Sequence, residues 1–225
     1  MNNIDDGTGV QESRLKIMKA TRLSSGNTNG FSWDYDVVSK TYSSDWTTSS
    51  LINLLNGAYY NCTTTEYYNA SSTPRMLDFT ESGISDEAKA MIDDAVWNIS
   101  GTSRYSDIMA PDFYTIEHSS DDSSEYPDTW IGKVALLSPS DYGYATNGGS
   151  AVTREECIYE KNLYEDYYKS ECHLNNWLNS FGSLWTLNRV NNADNQIFYA
   201  DGSILRMSAN SLLRRFFLLF IYLQM

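Results

Sequence analysis

The stretch Trp130-Ile131-Gly132-Lys133-Val134-Ala135-Leu136-Leu137-Ser138-Pro139-Ser140-Asp141-Tyr142-Gly143-Tyr144-Ala145-Thr146 sets a strand directly before a turn. The apolar run 130–137 reads as a strand, and 138–146 reads as a capped turn containing Pro and Gly. Downstream, residues 175–179 end a short helix that follows Cys172, and Trp185-Thr186-Leu187 reads as a second strand. Residues 196–200 and 203–207 flank Asp201-Gly202, which predicts a hairpin with a two-residue loop.

Upstream, residues 14–19 alternate polar and apolar, which predicts a strand with one buried face. The turn residues Asp5 to Gly9 before it imply a hairpin whose first strand is missing or minimal. Residues 24–29 read as a loop and Phe31-Ser32-Trp33 as a short aromatic strand. A helix is predicted over 44–57, capped by Ser44 or Asp45, stopped by Gly57 in the left-handed conformation, with Leu51, Leu54 and Leu55 on one face. A second is predicted from the N-cap Ser85 onward, where Ala88, Met91, Ile92, Ala95 and Val96 form a helical stripe. Residues 59–73 read as a polar loop, and 111–118 as a helical turn or short helix. Helices come early and hairpin strands late, which argues α+β. Trp130, Val134, Leu136, Trp185 and Leu187 are expected in one sheet core, packed on Met91, Ile92 and Val96.

The 225 residues suit one domain. With 41% apolar and 20% charged residues, the chain has enough material for a core and is not the composition of a disordered protein. Tyr outnumbers Phe by 17 to 8, which favours half-buried sheet faces and wet surfaces. The formal net charge of -13 repels phosphate backbones and anionic lipid, and no basic patch interleaved with aromatics offsets it, so no nucleic-acid partner is expected.

The three cysteines are Cys62, Cys157 and Cys172. None forms a CxxC pair, and only His173 stands beside one, so zinc is not expected. Cys157 and Cys172 share one polar, Tyr-rich stretch, which favours a local disulfide closing a surface loop, worth roughly 3 kcal/mol through the unfolded state. The alternative is reduced thiols in a cytosolic protein. Cys62 is left free or paired with another chain. The opening residues lack a basic segment and an apolar core of a secretory signal, so the chain is either cytosolic or a piece of a longer protein.

No catalytic motif stands out. His118 and His173 are far apart, with no acid or nucleophile marked beside either. Asp93-Asp94 and Asp121-Asp122 read as solvated faces, and no EF-hand, GxGxxG, P-loop or GxSxG occurs. The sequons at Asn61, Asn69 and Asn98 are those expected by chance in an Asn/Ser/Thr-rich chain. No catalytic, cofactor-binding or metal-binding residue is assigned.

The segment 130–146 resembles an uncharacterised bacterial surface-protein domain, in which a Trp-x-Gly-Lys strand leads into Ser-Asp-Tyr-Gly-Tyr-Ala-Thr. Residues 45–56 are similar to that family's first helix and 85–97 to its second. Cys157, Cys172 with Asn176-Trp177-Leu178, and Trp185-Thr186-Leu187 resemble its disulfide loop and following strand, and Ser208-Ala209-Asn210-Ser211 its closing segment. The resemblance implies a C-type-lectin-like or formylglycine-generating-enzyme-like α+β frame displaying variable loops, often after a pilin-like N-terminal membrane helix. Two departures stand out: the family's first strand precedes Met1, and its closing Gly-Val-Arg-Pro strand is replaced here by the apolar run 212–223. That run is too short for a membrane span, which needs about 20 apolar residues. It is a buried strand, a frame-shifted tail or a membrane-surface segment.

The expectation is therefore a single C-type-lectin-like α+β domain over 1–211, with a small twisted antiparallel sheet, two main helices and long loops, followed by an apolar tail at 212–225. Its expected role is non-catalytic: a cell-surface or pilus-associated module binding an extracellular protein or glycan, on a chain whose membrane anchor lies upstream. The alternative is a hydrolase-like enzyme on the formylglycine-generating scaffold. A deep pocket lined by convergent acids or histidines favours the enzyme, and a flat Tyr-rich loop surface the binder.

Overall fold

The computed structural model describes residues 2–5, 7–19, 30–120, 125–191, 195–211 and 219–224. The loop expected at 24–29 and the pair Asp121-Asp122 lie outside the described residues. The chain enters as the hairpin β1 (Asn2–Asp5) and β2 (Gln11–Lys19), so the first strand is minimal rather than missing. The Asp5 carboxylate closes the turn by accepting from the Gly7 and Gly9 N–H groups at 2.8 and 3.0 Å. The most buried side chain of β2 is Arg14, not an apolar residue. Its guanidinium donates to the Glu12 carboxylate at 3.0 Å and to the Asp94 carbonyl, which ties β2 to a distant turn.

The first helix is a composite. A 3-10 turn (Trp46–Thr48) capped by Asp45 leads into α1 (Ser50–Leu54), capped by Ser49, and then into a π-helical turn (Leu55–Tyr59). Leu51, Leu54 and Leu55 are buried as expected. Gly57 does not stop the helix. The left-handed residue is Cys62, with φ 56. The segment expected as a polar loop contains β3 (Thr64–Tyr67), which forms a hairpin with β4 (Arg75–Asp78).

The second expected helix is cut short. Ser85 does cap α2 (Asp86–Lys89), accepting from the Ala88 N–H at 3.3 Å, but the helix has only four residues. Ala90 ends it, and beyond it Asp93 pairs with Arg14 at 3.6 Å and Asp94 with Lys133 at 3.1 Å. The chain then extends as β5 (Ala95–Asn98), burying Ala95 and Trp97 with the period of a strand. Ile92 is buried but Met91 is 47% exposed, so Met91 is not part of the core. The longest helix among the described residues is α3 (Ala110–Glu117).

The apolar run 130–137 is two strands, β6 (Thr129–Gly132) and β7 (Val134–Leu136), in different sheets. The break has a visible cause. Asn56 inserts its side chain there, accepting from the Lys133 and Val134 N–H groups at 3.3 and 3.0 Å and donating to the Val134 carbonyl at 2.9 Å. An amide thus takes the place of a neighbouring strand.

Then come α4 (Pro139–Tyr144), α5 (Arg154–Tyr159), α6 (Glu165–Lys169), α7 (Glu171–Leu174) and a 3-10 helix (Trp177–Phe181). The chain closes with β8 (Leu184–Arg189), β9 (Gln196–Ala200), β10 (Ile204–Ser208) and β11 (Leu219–Gln224). Ala200 pairs with Ile204, so the hairpin loop is the three residues Asp201-Gly202-Ser203 rather than two, with Gly202 at φ 76. The apolar run expected as a strand, a tail or a membrane-surface segment supplies a strand: β11 lies between β2 and β7, antiparallel to both.

The protein is thus α+β with small antiparallel sheets. Among the described residues the sheet orders are β1-β2-β11-β7, β10-β9-β8, β3-β4 and β5-β6. The residues expected in one sheet are spread over three: Trp130 in β6, Val134 and Leu136 in β7, Trp185 and Leu187 in β8. They still share one core. A parallel bridge between Leu137 and Thr186 ties β7 to β8. Residues 31–33 are a strap rather than a strand: Trp185 Nε1 donates to the Phe31 carbonyl and Trp33 Nε1 to the Thr186 carbonyl, both at 3.1 Å. Among the described residues, no helix is long and apolar enough to cross a membrane.

Candidate binding cleft around Trp177

Cys157 in α5 and Cys172 in α7 form a disulfide with Cα atoms 5.6 Å apart. Both are fully buried, and the segment between them packs Ile158, Leu163 and Tyr167 into the core. The closed loop is therefore not a free surface loop. It is a short-helix cap with one face buried. Cys62 is a free, half-buried thiol donating to the Ile84 carbonyl at 3.0 Å.

The disulfide fixes α7, and α7 delivers the chain to Asn176. This buried side chain makes three contacts. It accepts from the Leu178 N–H at 2.9 Å, capping the 3-10 helix, and its Nδ2 donates to the Tyr142 carbonyl at 2.7 Å and the Tyr167 hydroxyl at 2.8 Å. Burial pushes the Tyr167 hydroxyl up to about 12, against the pull of that Asn176 bond, so it stays protonated. Two backbone bonds join the same segment to the turn after α4, from the Trp177 N–H to the Ala145 carbonyl and from the Asn147 N–H to the Asn175 carbonyl. Thr146 Oγ1 donates to the Cys172 carbonyl at 2.9 Å. Gly148, at φ 73, makes the next bend, where a side chain would meet the Arg154 backbone nitrogen at 2.5 Å. The two segments 142–146 and 176–178 are thus one structural unit.

That unit presents an open cleft of about 530 Å3, lined by Asn147, Leu174, Asn175, Asn176, Trp177, Asn179 and Ser180. The 3-10 geometry sends Leu178 inward, 1% exposed, and leaves Trp177 47% exposed. None of the lining side chains is ionisable. Asn175 and Asn179 donate their Nδ2 groups to the Glu171 and His173 carbonyls, both at 3.2 Å, which leaves their Oδ1 atoms without a partner among the described residues. Ser180 Oγ donates to the Trp177 carbonyl and keeps its lone pairs. The Asn147 side chain makes no hydrogen bond among the described residues. The Glu171 carboxylate, which does not line the cleft, is engaged by the Ala151 N–H and Ser150 Oγ, and those bonds hold it below the usual carboxylate range.

Comparison with protein-family models, curated proteins and solved structures gave no match.

Other chemistry-bearing groups are accounted for locally. His118 Nδ1 bonds the Tyr114 carbonyl and His173 Nδ1 the Ser170 carbonyl, each at 2.8 Å, with each ring against a tyrosine. Burial raises the Glu117 carboxyl to about 7, but it is only 2% exposed. It accepts from the Ser140 N–H at 2.9 Å and from Ser140 Oγ, holding the first turn of α4. That is a structural anchor sealed from substrate. Among the described residues, no group of three or more His, Cys, Asp or Glu side chains is placed to hold a metal ion. Of the sequons, Asn69 is spent internally, accepting from the Ser32 N–H and donating to the Gly30 carbonyl, both at 2.9 Å.

A second concavity of about 230 Å3 lies beside Tyr35, Asn53, Glu66 and Tyr68. It is smaller and lacks an exposed indole. The Trp177 cleft was not assigned from sequence, although a signal was there: the pattern Asn175-Asn176-Trp177-Leu178-Asn179 puts an indole among amides.

Proposed function

We propose that this chain is a non-catalytic binding and display module of a cell-surface or pilus-associated protein, with the Trp177 cleft as its recognition face. The observation that carries this reading is the exposed Trp177 indole, held on a frame of disulfide and buried Asn176 bonds, beside amides with unspent hydrogen-bonding capacity. A half-exposed indole costs solvation free energy unless something covers it, and rigid aromatic anchors are favoured in recognition sites. The disulfide favours an oxidising compartment, in keeping with an extracellular location. Short helices, small antiparallel sheets and long connections are compatible with the C-type-lectin-like frame that the 130–146 and 176–178 motifs imply.

The test is an array of extracellular glycans and extracellular proteins probed with the wild-type chain, Trp177→Ala and Tyr159→Ala. Tyr159 is likewise exposed, at 62%, but does not line the cleft. The reading expects binding that Trp177→Ala removes and Tyr159→Ala leaves intact. Binding indifferent to Trp177, or none, overturns it.

A further inference from the structure

We infer that the ligand of the Trp177 cleft is an uncharged saccharide, stacked on the indole and held by carboxamides without a metal ion. This rests on reading the cleft as the recognition face, and it goes further by naming the ligand's chemistry.

The lining selects by what it offers and by what it omits. It offers the flat Trp177 indole and the exposed Leu174 side chain, and beside them neutral polar atoms of both kinds. The Asn147 amide is a donor and an acceptor side by side, while Asn175 Oδ1, Asn179 Oδ1 and Ser180 Oγ accept. A pyranose has the matching surface. Its C–H-lined face is apolar and flat, and each ring hydroxyl both donates and accepts, so neighbouring hydroxyls pair with a carboxamide in two parallel bonds. The cleft is open and shallow, so it takes a saccharide by one face and leaves the rest in solvent.

Other ligand classes fit less well. An anionic sugar would find no cation in the lining, and the net charge of -13 opposes its approach. A peptide strand needs free backbone groups, but the Trp177 and Asn147 N–H groups are already bonded to Ala145 and Asn175. A peptide helix needs a continuous apolar groove, whereas Leu174 and Trp177 are flanked by amides. A calcium-bridged sugar needs carboxylates in the cleft, and none of the lining residues carries one.

The experiment uses the full chain on an array of polymer-linked neutral mono- and disaccharides, sialylated and sulfated glycans, and extracellular proteins, with and without EDTA. Multivalent display compensates for a shallow site. The expected result is binding to at least one neutral saccharide, unchanged by EDTA and weakened about tenfold by Trp177→Ala, as loss of an aromatic stacking partner implies. Asn147→Ala, at an exposed side chain with no internal role, weakens it too, and thermal melts show that both variants fold. Binding confined to charged glycans, or abolished by EDTA, overturns the inference. Trp177-dependent binding to a protein and to no glycan overturns it while leaving the module reading intact. Absence of any Trp177-dependent binding overturns both.

Discussion

The Asn176 side chain donates to the Tyr167 hydroxyl at 2.8 Å, joining the residue before the exposed Trp177 to the middle of the disulfide-closed segment. The same amide holds the Tyr142 carbonyl and caps the following 3-10 helix. A buried group with three partners is costly to remove, because each partner is left unsatisfied. Asn176→Ala is expected to destabilise the protein by about 3 kcal/mol, combining lost buried bonds with a lost cap. Urea unfolding measures it. A loss below about half a kcal/mol would place Asn176 outside the frame of the cleft.

The disulfide makes a separate, additive demand. Its sequence separation is 15, for which the chain-entropy account gives about 3 kcal/mol. Replacing both Cys157 and Cys172 with Ala, which avoids burying hydroxyls, should lower the urea midpoint accordingly. Non-reduced peptide mapping should show the two joined in protein made under oxidising conditions. Free thiols there, or an unchanged midpoint, would contradict the assignment.

Stability should also carry a pH signature from Glu117. Burial raises its carboxyl from the ordinary 4.5 to about 7 in the folded state. The folded protein therefore binds the proton more tightly than the unfolded chain. The stabilisation from that proton is complete below about pH 4.5 and is lost as pH rises through about 7. Glu117→Gln keeps both partners, accepting from the Ser140 N–H and donating to Ser140 Oγ, and removes the titration. The variant should therefore gain on the wild type as pH rises through that window, by up to about 3 kcal/mol. A difference between the two that stays flat from pH 4 to about 8 would mean that Glu117 is not buried as described.

At the other end of the chain, β11 supplies backbone partners to both β2 and β7. Ending the chain at residue 211 would turn two paired strands into open edges, which favour association. The 1–211 form should lose cooperative thermal unfolding and elute from size exclusion as aggregates. A soluble, cooperatively folded 1–211 chain would show that β11 is dispensable.

Local chemistry was legible where it was decided locally. The caps at Asp45 and Ser85 and the 196–207 hairpin follow from short-range residue preferences. The stretch 138–146, expected as a capped turn, instead forms the helix α4, where the Asp141 carboxylate accepts from the Ser138 N–H at 2.8 Å. The helix expected through Ala95 and Val96 is a strand because pairing with β6 puts Ala95 and Trp97, two residues apart, on the buried face and turns Val96 to the other one. The split of 130–137 was invisible because it depends on Asn56, more than seventy residues away. The burial of Arg14 has a similar cause: the alternation of 14–19 predicts a strand, but the guanidinium is buried through its bond to the Asp94 carbonyl, eighty residues away. The cleft joins Asn147 to residues 174–180, and only folding brings those together.

Recognition of a neutral saccharide by the Trp177 cleft is open to chemical-shift mapping. Isotope-labelled full-length protein is titrated with lactose, maltose, cellobiose and diacetylchitobiose. At least one is expected to move the indole N–H of Trp177 and the side-chain amide signals of Asn147 and Asn179, and to leave the region around Tyr35 and Tyr68 still. Shifts at Tyr35 and Tyr68 with Trp177 unmoved, or no shifts with any of the four, would contradict it.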